Sequence, residues 1–344
     1  MDIASKNIEE LEQIMKDYGQ GRFRAQQLFE WLHQKMVTNY DEMTNLPIAL
    51  RARLKEDFPI PSMKIVRKYV SQLDGTIKYL FECEDSHIIE SVLMRYKHGN
   101  SVCISSQVGC RMGCKFCAST LEGLVRNLTP SEMVSQIYLI QQDIEERVSN
   151  IVVMGSGEPL EHFEVTKRFV ELINSPFGQN IGQRHITIST CGLVPRIKEL
   201  AESLPQVTLA ISLHAPTDEG RKRIMPIAYQ YSIQELIEAC KAYSDQTGRR
   251  VTFEYALIYD VNDSVEEARQ LGKLLRGLLC HVNLIPVNKI EEREYKESSL
   301  NHIQNFLKVL EEYHIPATVR RKLGSDIDAA CGQLRRHYIK KRGE

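Results

Sequence analysis

The residues best placed to do chemistry lie in one short stretch, Cys103-Ile-Ser-Ser-Gln-Val-Gly-Cys110-Arg-Met-Gly-Cys114-Lys-Phe-Cys117. Its last three cysteines follow a C-x3-C-x2-C pattern, and a fourth lies seven positions upstream of them. Spacings this short let thiolates from one loop converge on a single metal centre. Three thiolates leave a four-iron cluster one ligand short, so one iron stays open to a small molecule. A structural zinc site fills all four positions, and zinc completed by a distant Cys or His is the competing reading.

Other polar residues fall where apolar segments end. Gly155-Ser156-Gly157-Glu158-Pro159 follows one segment, Ser189-Thr190-Cys191-Gly192 a second, Ser212-Leu213-His214-Ala215-Pro216 a third, and Asn288 a further one. Gly-x-Gly-Glu-Pro is not a dinucleotide fingerprint, because Pro159 follows at once and the third glycine is missing. Its glycines allow backbone to approach a ligand closely, and Glu158 can accept bonds from an ammonium group. Taken singly, His214 reads as a core histidine, Asn288 as turn chemistry and Glu90 as an outward strand residue. Their common position carries more weight, since parallel α/β folds build active sites at the C-terminal ends of strands. Cys83, Cys191, Cys240 and Cys280 lie in or beside apolar segments and read as small buried hydrophobes. Cys331 differs: it sits in a small-residue segment, Gly324 to Leu334, where a thiol has access.

The elements that must position these residues follow from periodicity. Residues 1–60 read as helical, with Ile8, Leu11, Ile14 and Met15, then Phe23, Leu28, Phe29 and Leu32, then Leu50 and Leu54 at helical spacing. From Met63 the period changes to two, and Asp74-Gly75 between two alternating runs predicts a hairpin in a small linking sheet. Beyond residue 99, strands are expected at 102–106, 150–154, 185–190, 208–214, 251–258 and 281–287. Helices are expected at 130–146, 161–174, 196–203, 233–247, 264–279 and 300–313. Thr129-Pro130-Ser131-Glu132 is a capped helix start, and Asp263 or Ser264 caps another. Six strand–helix units imply parallel strands with right-handed crossovers, as an open sheet or partial barrel.

Composition bounds the rest. With 42% hydrophobic and 26% charged residues the chain is ordinary for a globular protein, which argues against wholesale disorder. Its net charge of −1 does not by itself announce a nucleic-acid partner. Charge is uneven, however: eight Lys or Arg fall between Arg320 and Glu344, a solvated tail or a phosphate-contacting end. No apolar stretch reaches a membrane span, and nine cysteines without an export signal point to a reducing, cytoplasmic setting.

In combination these motifs are specific. Cys110-x3-Cys114-x2-Cys117 with Phe116 resembles the radical S-adenosylmethionine enzymes. With Cys103, Met154-Gly-Ser-Gly-Glu-Pro159, Ser212-Leu213-His214, Asn288 and Asp328-Ala-Ala-Cys331-Gly-Gln-Leu, the whole chain resembles the RlmN/Cfr family of RNA adenine methyltransferases. The resemblance implies an α/β fold, a partial (β/α)6 radical SAM barrel over 99–322. It places an RNA-binding helical accessory domain at 1–60, a β linker at 61–98, and a catalytic cysteine with a basic tail at 323–344.

It further implies one [4Fe-4S] cluster on Cys110, Cys114 and Cys117, with Gly157, Glu158, Ser189, Ser212, Leu213, His214 and Asn288 holding S-adenosylmethionine. Two molecules of that cofactor are consumed per methylation, one loading a methyl group onto Cys331 and the other generating the radical. The methyl carbon then adds to adenine, Glu90 accepts a proton, and Cys103 resolves the adduct through a transient disulfide with Cys331. The implied target is carbon 2 of an adenosine in 23S rRNA near the peptidyl-transferase centre, with a tRNA anticodon-loop adenosine as a second. An electron donor such as flavodoxin or ferredoxin, no membrane, and a monomeric state complete the expectation.

Ser156 departs from the commoner Met-Gly-Met-Gly loop, whereas Pro159 favours the carbon-2 enzymes over the Cfr enzymes, which act on carbon 8. Carbon-8 methylation is therefore the nearest alternative, and a zinc-stabilised, non-catalytic RNA-binding protein the alternative of a different class.

Overall fold

The computed structural model describes residues 2–288 and 292–327. The N-terminal head holds α1 (Ile8–Asp17), α2 (Phe23–His33) and α3 (Ile48–Asp57). Asn7 starts α1 with a reciprocal cap, its side chain accepting from the Glu10 amide while Glu10 reaches back. Leu11 and Met15, then Leu28, Phe29 and Leu32, then Leu50 and Leu54 are the buried stripes of these helices. They join the main hydrophobic core rather than a separate one.

Then come β1 (Met63–Val70), β2 (Ile77–Cys83), β3 (Ile88–Tyr96), β4 (Gly99–Ile104), β5 (Gln107–Gly109) and β6 (Leu124–Asn127). The remainder alternates: α4 (Pro130–Ile144), β7 (Val148–Val153), α5 (Phe163–Asn174), β8 (Ile186–Thr190), α6 (Val194–Ser203), β9 (Thr208–Ser212) and α7 (Asp218–Ile224). It ends with α8 (Ile233–Thr247), β10 (Val251–Leu257), α9 (Val265–Leu275), β11 (Cys280–Pro286), α10 (Leu300–Glu312) and β12 (Ala317–Val319). Thr129 with Glu132 and Ser264 with Glu267 form capping boxes on α4 and α9.

Ten strands form one open sheet in the order β1-β2-β3-β4-β7-β8-β9-β10-β11-β12. From β4 to β12 every pairing is parallel. The six expected strand–helix units are all present, and β12 adds a parallel edge strand that the sequence pattern did not show. The antiparallel strands β1–β3, expected as a small linking sheet, extend the main sheet through β3 against β4.

Register splits the sheet into two faces. Ile186, Ile188, Leu209, Ile211, Phe253, Tyr255, Val282 and Leu284 are fully buried in the core shared with the helices. The opposite face is far more polar and carries Thr187, Ser189, Thr208, Ser212, Thr252, Glu254 and Asn283. Among the described residues no helix is long and apolar enough to cross a membrane.

The head docks on α4 and α5. Ser5 Oγ accepts from the Ser131 amide at 3.0 Å, Arg168 pairs with Glu10, and His33 Nδ1 lies 3.0 Å from the Tyr138 hydroxyl. Full burial holds His33 down to about 3, against an ordinary value of 6.5. Between those values the unfolded chain binds the extra proton, so stability falls as pH drops below 6.5, by about 1.4 kcal/mol per unit for this residue. Replacing His33 by Gln, which cannot protonate, should make the loss of unfolding midpoint between pH 6.5 and 5 shallower. Equal slopes in wild type and variant would refute this.

Candidate active site

The cysteine loop leaves β4 and β5 at the rim where the parallel strands end. Gly109, at φ +76°, lets it turn; a Cβ there would lie 2.0 Å from the Gly123 carbonyl oxygen. The loop is then pinned from three sides. Cys110 N donates to Gly123 O at 3.0 Å, Lys115 N to Ile224 O at 2.9 Å, and the Thr120 hydroxyl to the carbonyls of Cys114 and Cys117. Cys110 and Cys114 are buried and Cys117 is half-buried. Burial pushes the Cys110 thiol up to about 12 and Cys114 higher still, with the neighbouring cysteines adding to the effect.

A cavity of about 210 Å³ opens beside the loop. Phe116, Cys117, Met154, Ser189, Ser212, His214, Glu254, Asn288 and Arg320 are among its lining residues. Four of the residues expected to hold S-adenosylmethionine, Ser189, Ser212, His214 and Asn288, thus share one wall.

His214 is constrained on every side. Its backbone takes φ +58°, its carbonyl accepts from Asn262 Nδ2 at 2.7 Å, and its ring meets Phe116 edge-on at 4.5 Å. Nδ1 accepts from the Ala256 amide at 2.8 Å, so the ring proton is on Nε2. Burial lowers its pKa to about 3, which keeps it neutral.

The remaining three expected contacts sit behind that wall. The Glu158 carboxylate, 4% exposed, accepts from Leu160 N at 3.0 Å and Cys191 N at 2.7 Å. It therefore ties the loop after β7 to the end of β8; burial raises its pKa and these bonds oppose the rise. Gly157, at φ +114°, packs against the chain itself, since a Cβ there would meet Ser106 Oγ at 2.6 Å. Leu213 is fully buried, with its N–H donated to Glu254 O and its carbonyl accepting from Arg221.

Glu90 and Cys103 lie on the cavity face of the sheet. Cys103 pairs with Val92 and with Val152, and Glu90 is two residues from Val92 on β3, so alternation puts all of them on one side. Both residues are buried, and Lys78 Nζ, also buried, stands 3.5 Å from Glu90 Oε2. Cys331 lies outside the described residues.

The chain leading to Cys331 is anchored. Asp326 accepts from the Ser71 hydroxyl at 2.7 Å and the Gln72 amide at 2.8 Å, and the Gly324 amide donates to Asp74 at 2.8 Å. These bonds fasten residues 324–327 to the β1–β2 hairpin loop.

The donor set fits an iron–sulfur centre. Cys114 and Cys117 sit among Met112, Phe116, Ile224 and Met225, and Cys110 is buried four residues before Cys114 on the same loop. Among the described residues no three His, Cys, Asp or Glu side chains converge as a single-ion site requires.

Sequence reasoning passed over Glu254, Arg221 and Lys78. The available signal was a charge inside an apolar strand, as in Phe253-Glu254-Tyr255; on its own it reads as a solvent-facing alternation.

Comparison with known proteins decides the family. Residues 104–272 match the Radical SAM superfamily, and residues 1–60 match the ribosomal RNA large subunit methyltransferase N-terminal domain. A Clostridium perfringens (strain 13 / Type A) protein named "Probable dual-specificity RNA methyltransferase RlmN" is 56% identical over 342 residues, covering 99% of both chains. A protein of the same name from Clostridium botulinum (strain Alaska E43 / Type E3) is 57% identical over 339 residues, covering 98% of this chain and 97% of its own. The chain belongs to the RlmN family.

The fold agrees. A crystal structure of a radical SAM methyltransferase from Sphaerobacter thermophilus superposes with a TM-score of 0.92 at 46% identity, covering 97% of this chain and 98% of that one. This RlmN-family chain is a radical SAM RNA methyltransferase, and the family implies a four-iron cluster and S-adenosylmethionine.

The anchor of residues 324–327 gives a direct test. Asp326→Ala and Asp74→Ala should each speed tryptic cleavage at the exposed Arg320, Arg321 and Lys322 several-fold. The melting temperature should barely move, because surface bonds of this kind contribute little to global stability. Unchanged cleavage rates in both variants would contradict the anchoring role.

Proposed function

We propose that this enzyme methylates carbon 2 of an adenosine in 23S rRNA near the peptidyl-transferase centre, and a tRNA anticodon-loop adenosine by the same chemistry. The observation that carries the reading is the shared sheet face of Glu90 and Cys103, continuous with the cavity wall of Ser189, Ser212 and His214. A base that must meet a buried face has to be unpaired or splayed out, as expected of enzymes acting on base atoms.

Cys110, Cys114 and Cys117 would hold the cluster in this reading, with Cys117 itself lining the cavity. When bound, the cluster and S-adenosylmethionine supply the methyl group and the radical chemistry that an unactivated C–H carbon demands. The neutral His214, with its proton on Nε2, offers a hydrogen bond to the cofactor without adding charge. Phe116 closes the cavity against its ring. Ser189, Ser212 and Asn288 supply further polar contacts on that wall, while Gly157, Glu158 and Leu213 hold its shape from behind. Cys331 would carry the methyl group and, once the cofactor chemistry has taken one hydrogen atom from it, would be joined through that carbon to adenine carbon 2. Glu90 would remove the proton from carbon 2 as the adduct gives up one electron to the redox centre. The Cys103 thiolate would then attack the Cys331 sulfur and break the sulfur–carbon bond; the freed methylene takes up a proton to become the methyl group, and the disulfide left behind is reopened by an external dithiol. Flavodoxin or ferredoxin serves as electron donor.

Two measurements test this reading. Anaerobically purified protein should be brown with about four iron and four sulfide per chain; colourless, zinc-bearing protein would overturn it. Nucleoside mass spectrometry after reaction with methyl-labelled S-adenosylmethionine should show 2-methyladenosine, and 8-methyladenosine would move the enzyme to the Cfr chemistry.

The resolution step has its own test. Cys103→Ala should accumulate RNA covalently joined to Cys331 under turnover. Full turnover without any adduct would remove Cys103 from the mechanism.

A further inference from the structure

Arg221, on α7, is fully buried. Nε donates to Leu213 O at 3.1 Å, and Nη2 donates to Cys191 O at 2.7 Å and Ser212 O at 3.2 Å. All three acceptors are carbonyl oxygens. Nη1 is buried with no hydrogen-bond partner. A guanidinium keeps its charge even when buried, and carbonyls solvate that charge without neutralising it. Asp218 on the same helix and Glu158 beyond the Cys191 amide supply opposite charge in the neighbourhood, but neither accepts from the guanidinium, so Nη1 remains a buried charged donor with an unmet acceptor.

The surroundings show where it belongs. Arg221 Nη2 grips the Cys191 carbonyl at 2.7 Å, and the Cys191 and Cys114 side chains lie together beneath the cysteine loop. Lys115 N donates to Ile224 O at the end of the same helix, so the cysteine loop rests on α7. Cys114, Cys191, Ile224 and Met225 form one buried apolar cluster, which excludes bulk water from the charge.

We infer that Arg221 is the built-in counter-charge of the iron–sulfur centre, with Nη1 donating to a cluster sulfide or to the Cys114 thiolate. The inference rests on the cluster reading above. A four-iron core held by three thiolates is anionic, and one-electron reduction adds a further negative charge; a fixed cation and a hydrogen bond to sulfur therefore favour the reduced state. The same guanidinium grips the carbonyls of Cys191, Ser212 and Leu213. It thus fixes the cluster's electrostatics and the strand-end backbone that shapes the cofactor cavity with one side chain. Arg221 is a positioning residue in this account, since its three described bonds are to backbone.

The test is a redox titration of anaerobic, cluster-loaded enzyme followed by electron paramagnetic resonance, with iron content and melting temperature measured alongside. Arg221→Gln should lower the reduction equilibrium constant at least tenfold, 59 mV for one electron. Arg221→Lys, which keeps the charge, should recover more than half of that shift. A purely structural strut would lower melting temperature or iron content while leaving the potential of loaded protein unmoved, and that result overturns the inference.

Because the Gln variant risks misfolding, wild-type protein labelled with 15N-guanidino arginine gives an independent measure. Pulsed resonance on the reduced cluster should show a 15N coupling that survives Arg111→Lys in the exposed part of the loop and disappears in Arg221→Lys. Absence of that coupling in wild type overturns the inference. Wild type that binds no cluster overturns the cluster reading itself, whereas loaded wild type with unshifted variants overturns only the role of Arg221.

Discussion

A parallel ladder forces its strands to end at one rim and sends alternate side chains to one face, and both consequences are used here. From β4 to β12 the pairing is parallel and aligns whole rows, such as Ser212, Glu254, Asn283 and Thr318. One face of the rows is apolar and packs under helices; the other is polar and half-buried, with Glu254 its one fully enclosed carboxylate among the residues named above. Buried polar groups need partners. Asn283 Nδ2 meets Glu254 Oε2 at 2.8 Å, and burial nevertheless raises the Glu254 pKa, with Arg320 and Asn283 opposing the rise. A wall of this kind, with few fixed polar groups in a partly apolar cavity, orients a ligand by hydrogen bonds that water does not compete for.

The rim has its own difficulty, because where strands stop, backbone N–H and C=O groups lose their ladder partners. Two buried side chains of opposite charge meet it. Glu158 takes the N–H groups of Leu160 and Cys191, and Arg221 takes the carbonyls of Cys191, Ser212 and Leu213. Cys191 is held by both, through its amide and its carbonyl. The turn that presents His214 and the loop that follows β7 are thereby fixed to the end of β8, without any of these charges reaching solvent.

Much of this was legible because it depends on local period and spacing. The parallel strands, their helices, the Thr129 and Ser264 caps and the cysteine loop each announce themselves within a dozen residues. What was not legible depends on register. β12 is a three-residue strand whose pairing with β11 comes from the return of α10, which no local pattern encodes. Glu254 and Lys78 sit on strands whose polar face turns inward, so alternation alone assigns them to water. Arg221 lies in a short, highly charged segment, Asp218-Glu-Gly-Arg-Lys-Arg, where only tertiary contact distinguishes the one fully buried charge from its half-buried and exposed neighbours.

The antiparallel extension shows why the sheet is wider than the six strand–helix units require. Glu90 on β3 and Lys78 on β2 carry the polar face past β4, toward the hairpin loop that receives Asp326 and Gly324. Of these contacts, the Gln72 amide bond to Asp326 is exposed, while the Ser71 and Gly324 bonds are half-buried. Each contributes little to global stability by itself, and together they fix where the chain runs after β12. The parallel rim with its two buried charges is thereby joined, through β1–β3, to the loop that holds residues 324–327.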